Sequence, residues 1–363
     1  MDWFTINNID EIDSPSLVLY EDHLLSNLKM MIELVDGNTS RLMPHIKTNK
    51  MPEVIKRMIA FGIKKFKAST IVEAEMASQE GAEEVLIAHQ LVGPKIGRFI
   101  DLIKKFPDTK FSTLVDNISS AEKLNNAVKN ENLSINIFID INSGMDRSGI
   151  KIGKELDELI NSIRKFNNLK FRGLHVYDGH FRDIDFSVRN EKIEAEFIPI
   201  DKYYSKLKTD FPEIILICGG TPTFTSHILK NDRIASPGTC VFWDWSYDEK
   251  LTEQQFNFAV LIVTRVISKP TDGIITIDLG HKSVASENPI DKRIKFLNLT
   301  DYELLSQSEE HGVLRVKDSE AINVGDVFFA VPYHICPTVN LHEYVSVIQN
   351  HKKISQWQIC RAR

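Results

Sequence analysis

Ile135-Asn136-Ile137-Phe138-Ile139-Asp140-Ile141 is a run of apolar and β-branched residues that predicts a buried strand. Farther along the chain, Leu156, Leu159, Ile160 and Ile163 recur with the spacing of one buried helix face. A buried strand followed by an amphipathic helix forms one βα unit, and repeated βα units build a parallel sheet.

The same unit repeats through the first two thirds of the chain. Candidate strands alternate with helical patterns and lie at residues 17–20, 42–47, 66–70, 85–90, 110–115, 135–141, 171–177, 214–219 and 233–240. With roughly eight strands and no GxGxxG motif after the first, a closed (β/α)8 barrel is favoured over an open doubly wound sheet. We assign residues 14–245 to this barrel.

The pattern changes after residue 251, where helical periodicity nearly disappears. Candidate strands lie at residues 260–267, 274–279, 312–316, 327–331 and 344–348. Residues 246–363, together with residues 1–13, therefore predict a second, β-rich domain. The predicted fold class is α/β, with a barrel followed by a C-terminal β domain.

The charge and composition of the chain indicate which kind of molecule it binds and where in the cell it lies. The 363-residue chain carries a formal charge of −6, which opposes binding to nucleic acid or to an anionic membrane and favours a small molecule. The N-terminus lacks the pattern of a signal peptide, and no uninterrupted apolar run approaches ~18 residues. Four scattered cysteines fit a reducing compartment. We therefore expect a soluble, cytoplasmic protein.

Lys47 ends an early candidate strand, and the carboxyl ends of such strands form the catalytic rim of a barrel. A partly desolvated lysine there is suited to form a Schiff base with a carbonyl cofactor. The alternative is an ordinary solvated lysine, as we expect for Lys50.

His334 and Cys336 stand two residues apart in a predicted strand, so their side chains can leave the same face and bind one ion. The other cysteines, Cys218, Cys240 and Cys360, form no CxxC pair that would complete a structural zinc site. A metal held here would keep open positions for a substrate. The alternative is two ordinary interior residues.

Further residues with suitable chemistry follow later strands. Arg147 ends a glycine turn, where a fixed guanidinium can donate to a phenolate or carboxylate. Two runs of small residues lie where barrels often bind phosphate, and they contain Gly219, Gly220, Thr221, Gly238 and Thr239. Each run alone could be a simple turn. Together with Lys47 and Arg147, they describe a pocket for pyridoxal 5′-phosphate.

Several motifs in register identify a family resemblance. The order is PHIKTNK (44–50), DINSGMDRSGI (140–150), GLHVYDGH (173–180), ICGGTPT (217–223), SPGT (236–239), EEHG (309–312) and PYHIC (332–336). It resembles the metal-dependent D-threonine aldolase and D-serine dehydratase family, which has the alanine-racemase-like fold of pyridoxal-phosphate enzymes. The resemblance implies a head-to-tail dimer whose site lies between one subunit's barrel and its partner's β domain.

The resemblance also implies roles for single residues. Lys47 would be the Schiff-base lysine, Arg147 the donor to the phenolic oxygen of the cofactor, and Tyr177 the residue against the pyridine ring. The five residues of the small-residue runs would surround the phosphate. His334 and Cys336 match metal ligands, with the ion placed to bind the β-hydroxyl of a D-amino acid. Glu309, Glu310 and His311 match a recurring segment, and we assign them no roles.

Two chemistries suit such a site. A YxGH motif resembles the aldolase branch, where His180 would be the base for the β-hydroxyl, and it predicts retro-aldol cleavage to glycine and an aldehyde. The thiolate ligand resembles zinc-bearing dehydratases, so dehydration of D-serine or 3-hydroxyaspartate is the alternative, with zinc preferred over manganese or magnesium. A racemase or a non-catalytic cofactor carrier would gain nothing from the metal pair.

Two positions depart from the family pattern. Asn49 replaces a second histidine near the lysine, and Ser236 stands where racemases of this fold have an arginine that faces the pyridine nitrogen.

Overall fold

A computed structural model describes residues 2–362, which form a parallel barrel and a second, mixed sheet. The earlier strands are β1 (Ser16–Tyr20), β2 (Lys65–Ala68), β3 (Glu84–Gln90), β4 (Lys110–Val115), β5 (Ile135–Ile141), β6 (Leu169–Val176), β7 (Ile215–Cys218) and β8 (Arg233–Ala235). The later strands are β9 (Val260–Thr271), β10 (Ile274–Ile277), β11 (Ile294–Phe296), β12 (Tyr302–Gln307), β13 (Gly312–Val316), β14 (Val327–Pro332), β15 (Tyr344–Gln349) and β16 (Lys352–Gln358).

Most helices lie between the barrel strands. The α-helices are α1 (Glu21–Glu33), α2 (Pro52–Ala60), α3 (Ile71–Gln79), α4 (Pro94–Lys105), α5 (Ile118–Asn130), α6 (Lys154–Ile163), α7 (Phe186–Asp210), α8 (Phe224–His227), α9 (Trp245–Lys250) and α10 (Ile335–Val339). Single 3-10 turns cover Ile9–Glu11, Thr39–Arg41, Thr221–Thr223, Thr239–Val241 and Ile290–Lys292. Within residues 2–362, no helix combines the length and apolarity that crossing a membrane requires.

Strands β2 to β8 lie side by side in chain order, and residues 42–46 join the two outer strands into a barrel. The amide of Met43 donates to the carbonyl of Ala235 at 2.9 Å, and the amide of Ile46 donates to the carbonyl of Lys67 at 2.9 Å. The prediction of a regular strand at residues 42–47 is wrong, because this segment makes only isolated pairings and Pro44 has no amide hydrogen to extend a ladder. The predicted barrel followed by a β domain is confirmed.

The second sheet contains a strand from the N-terminus. Strand β1 lies between β9 and β15, antiparallel to the first and parallel to the second. The candidate strand at residues 17–20 therefore exists, but it pairs outside the barrel to which residues 14–245 were assigned. Leu17 and Leu19 pack in the large core, while Val18 and Tyr20 pack in a smaller one on the opposite face. A strand that is apolar on both faces needs such a central position.

The interior of the barrel has an apolar layer and a polar layer. Apolar side chains from five segments of the barrel wall form one cluster: Met43, Leu86, Leu114, Phe138 and Ile217. Side chains two residues apart in a strand share a face. His45, Asp140 and Gly219 each come two residues after a member of this cluster, so they form the next layer, nearer the carboxyl ends of the strands. His175 and Lys67 join this layer through contacts described below. The fold thus places polar groups at the end of the barrel where (β/α)8-barrel enzymes bind their ligands.

A short helix brings the predicted metal pair to the barrel. Strand β14 ends at Pro332, and His334 is the N-cap residue of α10, so the prediction that His334 and Cys336 lie in a strand is wrong. Pro337 explains the helix start, because the first turn of a helix does not need its amide hydrogens. The carboxylate of Asp244 accepts from the amide of Ile335 at 3.1 Å and thereby fixes α10 to the end of the barrel segment.

Candidate active site

The carboxyl ends of the barrel strands surround a cavity of about 900 Å³. The predicted site residues that line it are Lys47, Tyr177, Gly220, Thr221, Gly238, Thr239, His334 and Cys336. The lysine of the barrel and the histidine–cysteine pair of the second domain therefore meet within one chain.

Three predicted residues lie outside the cavity lining. The guanidinium carbon of Arg147 lies 4.7 Å from the ring centroid of Tyr177, so the two side chains stack beside the cavity. Gly219 lies just before the lining residues of its turn. His180 packs against Phe181 with ring centroids 4.2 Å apart, and its Nδ1 is buried with no hydrogen-bond partner among residues 2–362. The predicted base is therefore not among the residues that line the cavity.

The EEHG segment lies away from the cavity as well. Glu309 and Glu310 both pair with Lys282, at 2.5 and 3.2 Å, and all three side chains are more than half exposed. Exposed pairs of this kind contribute little to stability. The segment connects β12 and β13 at the surface of the chain.

The thiol of Cys336 is a point of contact between the two domains. Its sulfur lies 3.1 Å from the hydroxyl of Thr48 and 3.4 Å from the hydroxyl of Thr239. Burial raises the pKa of the thiol, but the hydrogen bond from His334 and the charges of His334 and Lys47 bring that pKa below its ordinary value. The thiolate is the form of cysteine that binds metal ions.

A carboxylate that the sequence analysis missed holds the imidazole of His334. Nδ1 of His334 lies 2.6 Å from Oε1 of Glu287. Because a carboxylate accepts, Nδ1 carries the hydrogen and Nε2 is the nitrogen that can bind an ion. Burial lowers the pKa of His334, whereas Cys336 and Glu287 together raise it above the ordinary value. No local pattern could have paired two residues so far apart in sequence.

His334 and Cys336 supply two side chains of the kinds that bind metal ions. Among the residues that the structure describes, no group of three or more His, Cys, Asp or Glu side chains is arranged to hold a metal ion. Water or a substrate would therefore fill the remaining positions, since zinc in catalytic sites keeps such positions open.

Two lysines of the cavity lining are buried: Lys50, for which the expectation of a solvated side chain is wrong, and Lys67 on β2. Nζ of Lys67 lies 3.5 Å from Nε2 of His175 and 3.4 Å from the carbonyl oxygen of Gly219. Nδ1 of His175 donates to Asp140 at 2.8 Å, which leaves Nε2 to accept from Lys67. Burial, followed by repulsion from Lys47, lowers the pKa of Lys67 to about 7.

His45 also lines the cavity, in its neutral form. Its Nδ1 lies 2.9 Å from the carbonyl oxygen of Lys67 and therefore donates, and its Nε2 accepts from the hydroxyl of Ser69 at 3.2 Å. Burial, with repulsion from Lys47 and Lys67, holds the pKa of His45 well below its ordinary value. The neutral ring adds no further positive charge beside the two lysines.

The two small-residue turns contact each other. The amides of Gly238 and Thr239 donate to the hydroxyl of Thr221 at 3.1 and 3.0 Å. The resemblance implies that these turns surround a phosphate, and two of their amides bind the neighbouring turn. The hydroxyl of Ser236, by contrast, is buried on the cavity wall with no partner among residues 2–362.

The family follows from comparison with known proteins. Residues 20–244, more than half of the chain, match the family described as alanine racemase, N-terminal domain. The chain belongs to this family. Residues 259–348 match a second family, described as "Putative serine dehydratase domain". The resemblance inferred from the motifs is therefore confirmed.

Individual relatives cover nearly the whole chain. The 3-hydroxy-D-aspartate aldolase of Paracoccus denitrificans (strain Pd 1222) is 25% identical, and the match covers 96% of this chain and 92% of the relative. The D-threonine aldolase of Arthrobacter sp. is 24% identical, with the same coverage of both chains. The crystal structure of D-threonine aldolase from Filomicrobium marinum has a TM-score of 0.87 at 25% identity, covering 99% of this chain and 98% of the other.

The residues of the cavity fit the pyridoxal phosphate that membership of this family implies. Lys47 supplies an amine, and Ser236 supplies a buried hydroxyl that lacks a partner within the part of the chain that the structure describes. A Cβ atom at Gly220 would lie 2.9 Å from the Tyr177 ring, so glycine lets the backbone approach that ring. The cavity is also large enough, because ligand pockets begin at roughly 300 Å³.

Proposed function

We propose that the protein is a pyridoxal-phosphate- and metal-dependent lyase that cleaves a D-β-hydroxy amino acid between Cα and Cβ into glycine and an aldehyde. The observation that carries this proposal is that Lys47 and the His334–Cys336 pair line one cavity. Pyridoxal phosphate, when bound, supplies an electron sink for the negative charge that develops at Cα.

The residues of this chain would bind the cofactor and move protons. The amine of Lys47 would bond to the carbonyl carbon of the cofactor, and it would later hold a proton near Cα of the substrate. Arg147 would hold the phenolic oxygen and Tyr177 the ring, while Gly219, Gly220, Thr221, Gly238 and Thr239 would surround the phosphate. The bonds from Gly238 and Thr239 to Thr221 support a rigid turn at this point.

His334 and Cys336 would hold a divalent ion, which would act as a Lewis acid at the β-hydroxyl of the substrate. An imidazole and a thiolate suit zinc, and manganese or magnesium is the second choice. The lowered pKa of Cys336 supports this assignment, because the ligand must be deprotonated.

Cleavage is the first choice and dehydration the second. Relatives named as aldolases match over 96% of this chain, which favours cleavage. The match of residues 259–348 to a serine dehydratase domain and the thiolate ligand favour dehydration of D-serine or 3-hydroxyaspartate. We propose His180 as the base for the β-hydroxyl. Its unpartnered Nδ1 supports that role, whereas its position outside the cavity lining argues against it.

One incubation separates these functions. We expect the protein, loaded with pyridoxal phosphate and zinc, to convert D-threonine to glycine and acetaldehyde, and to leave L-threonine unchanged. Pyruvate from D-serine would indicate the dehydratase, conversion of D-threonine to its Cα epimer a racemase, and no product a cofactor carrier. Full activity in the presence of a chelator would exclude a catalytic metal, and full activity of Lys47→Ala would exclude Lys47.

The proposal extends to assembly and location. We propose a head-to-tail homodimer that acts on a small D-amino acid, with no nucleic-acid or membrane partner. We place the protein in the cytoplasm, since all four cysteines are free and two of them, Cys218 and Cys240, are buried. Light scattering would test the dimer.

A further inference from the structure

We propose that Gln90 is a positioning residue, which fixes the turn that carries Arg147 and thereby strengthens binding of the cofactor. The inference rests on the proposed function, because it assumes that Arg147 holds the phenolic oxygen of pyridoxal phosphate. Gln90 is not among the residues that line the cavity, so it would act through Arg147 rather than on the cofactor itself. Neither the motifs nor the family resemblance suggested a role for it.

Two carboxylates hold the turn directly after Arg147. The hydroxyl of Ser148 donates to Oδ2 of Asp140 at 2.9 Å, and the amide of Gly149 donates to Oδ2 of Asp116 at 3.2 Å. Asp140 lies near the end of β5, and Asp116 directly follows β4. The backbone on one side of Arg147 is therefore attached to two neighbouring strands of the barrel.

The side-chain amide of Gln90 joins these two carboxylates. Its Nε2 donates to Oδ2 of Asp116 and to Oδ2 of Asp140, each at 2.9 Å. Because carboxylates only accept and the amide nitrogen has two hydrogens, one hydrogen serves each acid. The same two oxygens accept from Gly149 and Ser148, so Gln90 binds both attachment points of the turn.

The bridge offsets a repulsion between like charges. Two carboxylates beside one nitrogen repel each other, and this repulsion is stronger where water is partly excluded. Asp140 is buried, and burial raises its pKa, but hydrogen bonds, the first of them from His175, bring that pKa below its ordinary value. Asp140 is therefore charged. Without the amide of Gln90 the two carboxylates would separate, and the residues bonded to them would move as well.

An irregularity in β3 brings Gln90 to this position. Strand β3 pairs with β4 up to Ile87 and Thr113, and pairing resumes between Gln90 and Leu114, so β3 contains two extra residues. The hydroxyl of Thr113 donates to the carbonyl of His89 within this interval, at 3.0 Å. A bulge of this kind redirects the side chains beside it, and bulges are frequent next to active sites.

The position of the Arg147 guanidinium depends on its backbone, because its side chain has few other restraints. The side chain is exposed, and its guanidinium carbon lies 4.7 Å from the ring centroid of Tyr177. Among residues 2–362, the guanidinium forms no hydrogen bond and no ion pair. A long side chain with one stacking contact follows its turn, so a shift of Ser148 and Gly149 would move the guanidinium.

The test is a double-mutant cycle in which equilibrium dialysis of the loaded protein measures the affinity for pyridoxal phosphate. We expect Gln90→Leu to weaken binding about tenfold, because it removes the donor between two carboxylates. In an Arg147→Met background the same substitution should change the affinity less than about twofold, since the group through which Gln90 acts is gone. The circular dichroism of the bound cofactor, which reports its orientation, should shift in Gln90→Leu toward the value of Arg147→Met.

Two further variants complete the experiment. Gln90→Glu keeps the size of the side chain but places a third carboxyl group there, so we expect a loss at least as large, again absent from the Arg147→Met background. Asn168→Leu is the matched control. The amide of Asn168 donates to the carbonyl of Leu133 at 2.6 Å, but the residue precedes β6, at the opposite end of the barrel. This variant should keep the wild-type affinity.

The possible outcomes are distinct. An equal loss with and without Arg147 would show that Gln90 acts independently of that residue and would overturn the inference, as would wild-type affinity in both Gln90 variants. Failure of both variants to fold, or a loss of the same size in Asn168→Leu, would indicate a general structural role and would overturn it as well. A wild-type protein that binds no pyridoxal phosphate would instead overturn the proposed function itself.

Discussion

The buried ammonium of Lys67 also affects the stability of the fold. Its pKa is about 7 in the folded chain, against an ordinary value of 10.5. Below pH ~7 the group is charged in both states, so the folded state bears the full free-energy cost of burying the charge. Between pH ~7 and ~10.5 the unfolded chain binds more protons than the folded chain, so the free energy of unfolding rises with pH. We expect Lys67→Met to stabilise the cofactor-free protein more at pH 6 than at pH 9, by about 2 kcal/mol.

Urea unfolding of the wild type and the variant at the two pH values measures this difference. Lys95→Met is the control for the loss of one lysine side chain, because Lys95 is exposed. An equal effect of Lys67→Met at pH 6 and pH 9 would contradict the lowered pKa.

Glu287 supports a prediction about metal binding. We expect Glu287→Ala to weaken zinc binding about 10- to 100-fold, because the imidazole of His334 loses the carboxylate at 2.6 Å that fixes its hydrogen and its orientation. Competition with a coloured chelator measures the affinity directly. Glu309→Ala removes an exposed glutamate that pairs with Lys282 and should leave zinc binding unchanged. Equal affinities in all three proteins would remove Glu287 from the site.

Helices α9 and α10 are joined by one side chain. The carboxylate of Asp244 accepts from the amide of Tyr247 at 3.0 Å, as the N-cap of α9, and from the amide of Ile335 at 3.1 Å, in the first turn of α10. We expect Asp244→Ala to destabilise the fold by about 2 kcal/mol, since it removes a cap worth about 1 kcal/mol and leaves a buried amide unpaired. It should also weaken zinc binding, because His334 and Cys336 flank the released amide.

Asp185 offers a matched control for Asp244. It caps α7 by accepting from the amide of Val188 at 3.1 Å, and within residues 2–362 its carboxylate accepts no hydrogen bond from a second helix. Asp185→Ala should cost about 1 kcal/mol in thermal or urea unfolding and should not change zinc affinity. If the two variants behaved alike in both measurements, Asp244 would be a simple cap.

The elements also show what the sequence can and cannot predict. Buried parallel strands such as β5 are visible because both faces are apolar, and the barrel followed from their number. Residues 42–46 and α10 were misassigned because proline changes which amides can pair, a property that apolar patterns do not record. Lys67 was missed although it lies in the candidate strand at residues 66–70, because most lysines are solvated. The alternation of a strand was a signal: Phe66 is apolar and buried, so the next side chain points to the opposite face.

Contacts across the whole chain were beyond the reach of local patterns. Glu287 precedes β11 and His334 follows β14, and the two residues meet because these strands pair in the second sheet. In the same way, β1 occupies the centre of a sheet whose neighbours, β9 and β15, lie more than 200 residues later in the chain. The motifs identified the candidate site residues, whereas the partners that support these residues became visible only in the folded molecule.

The position of β1 predicts that the two sheets unfold together. Leu17 on β1 belongs to the same buried cluster as Leu174 in the barrel and Val345 in the second sheet. We expect Leu17→Ala to destabilise the molecule by about 2 to 5 kcal/mol, the usual cost of a cavity in a core. Because the core is continuous, hydrogen exchange monitored by mass spectrometry should show β5 and β15 losing protection at the same denaturant concentration, in the wild type and in the variant. Ile354→Ala, at an exposed position of β16, should shift neither region. Loss of protection in β15 while β5 stays protected would mean that the second sheet opens on its own, and that β1 does not couple it to the barrel.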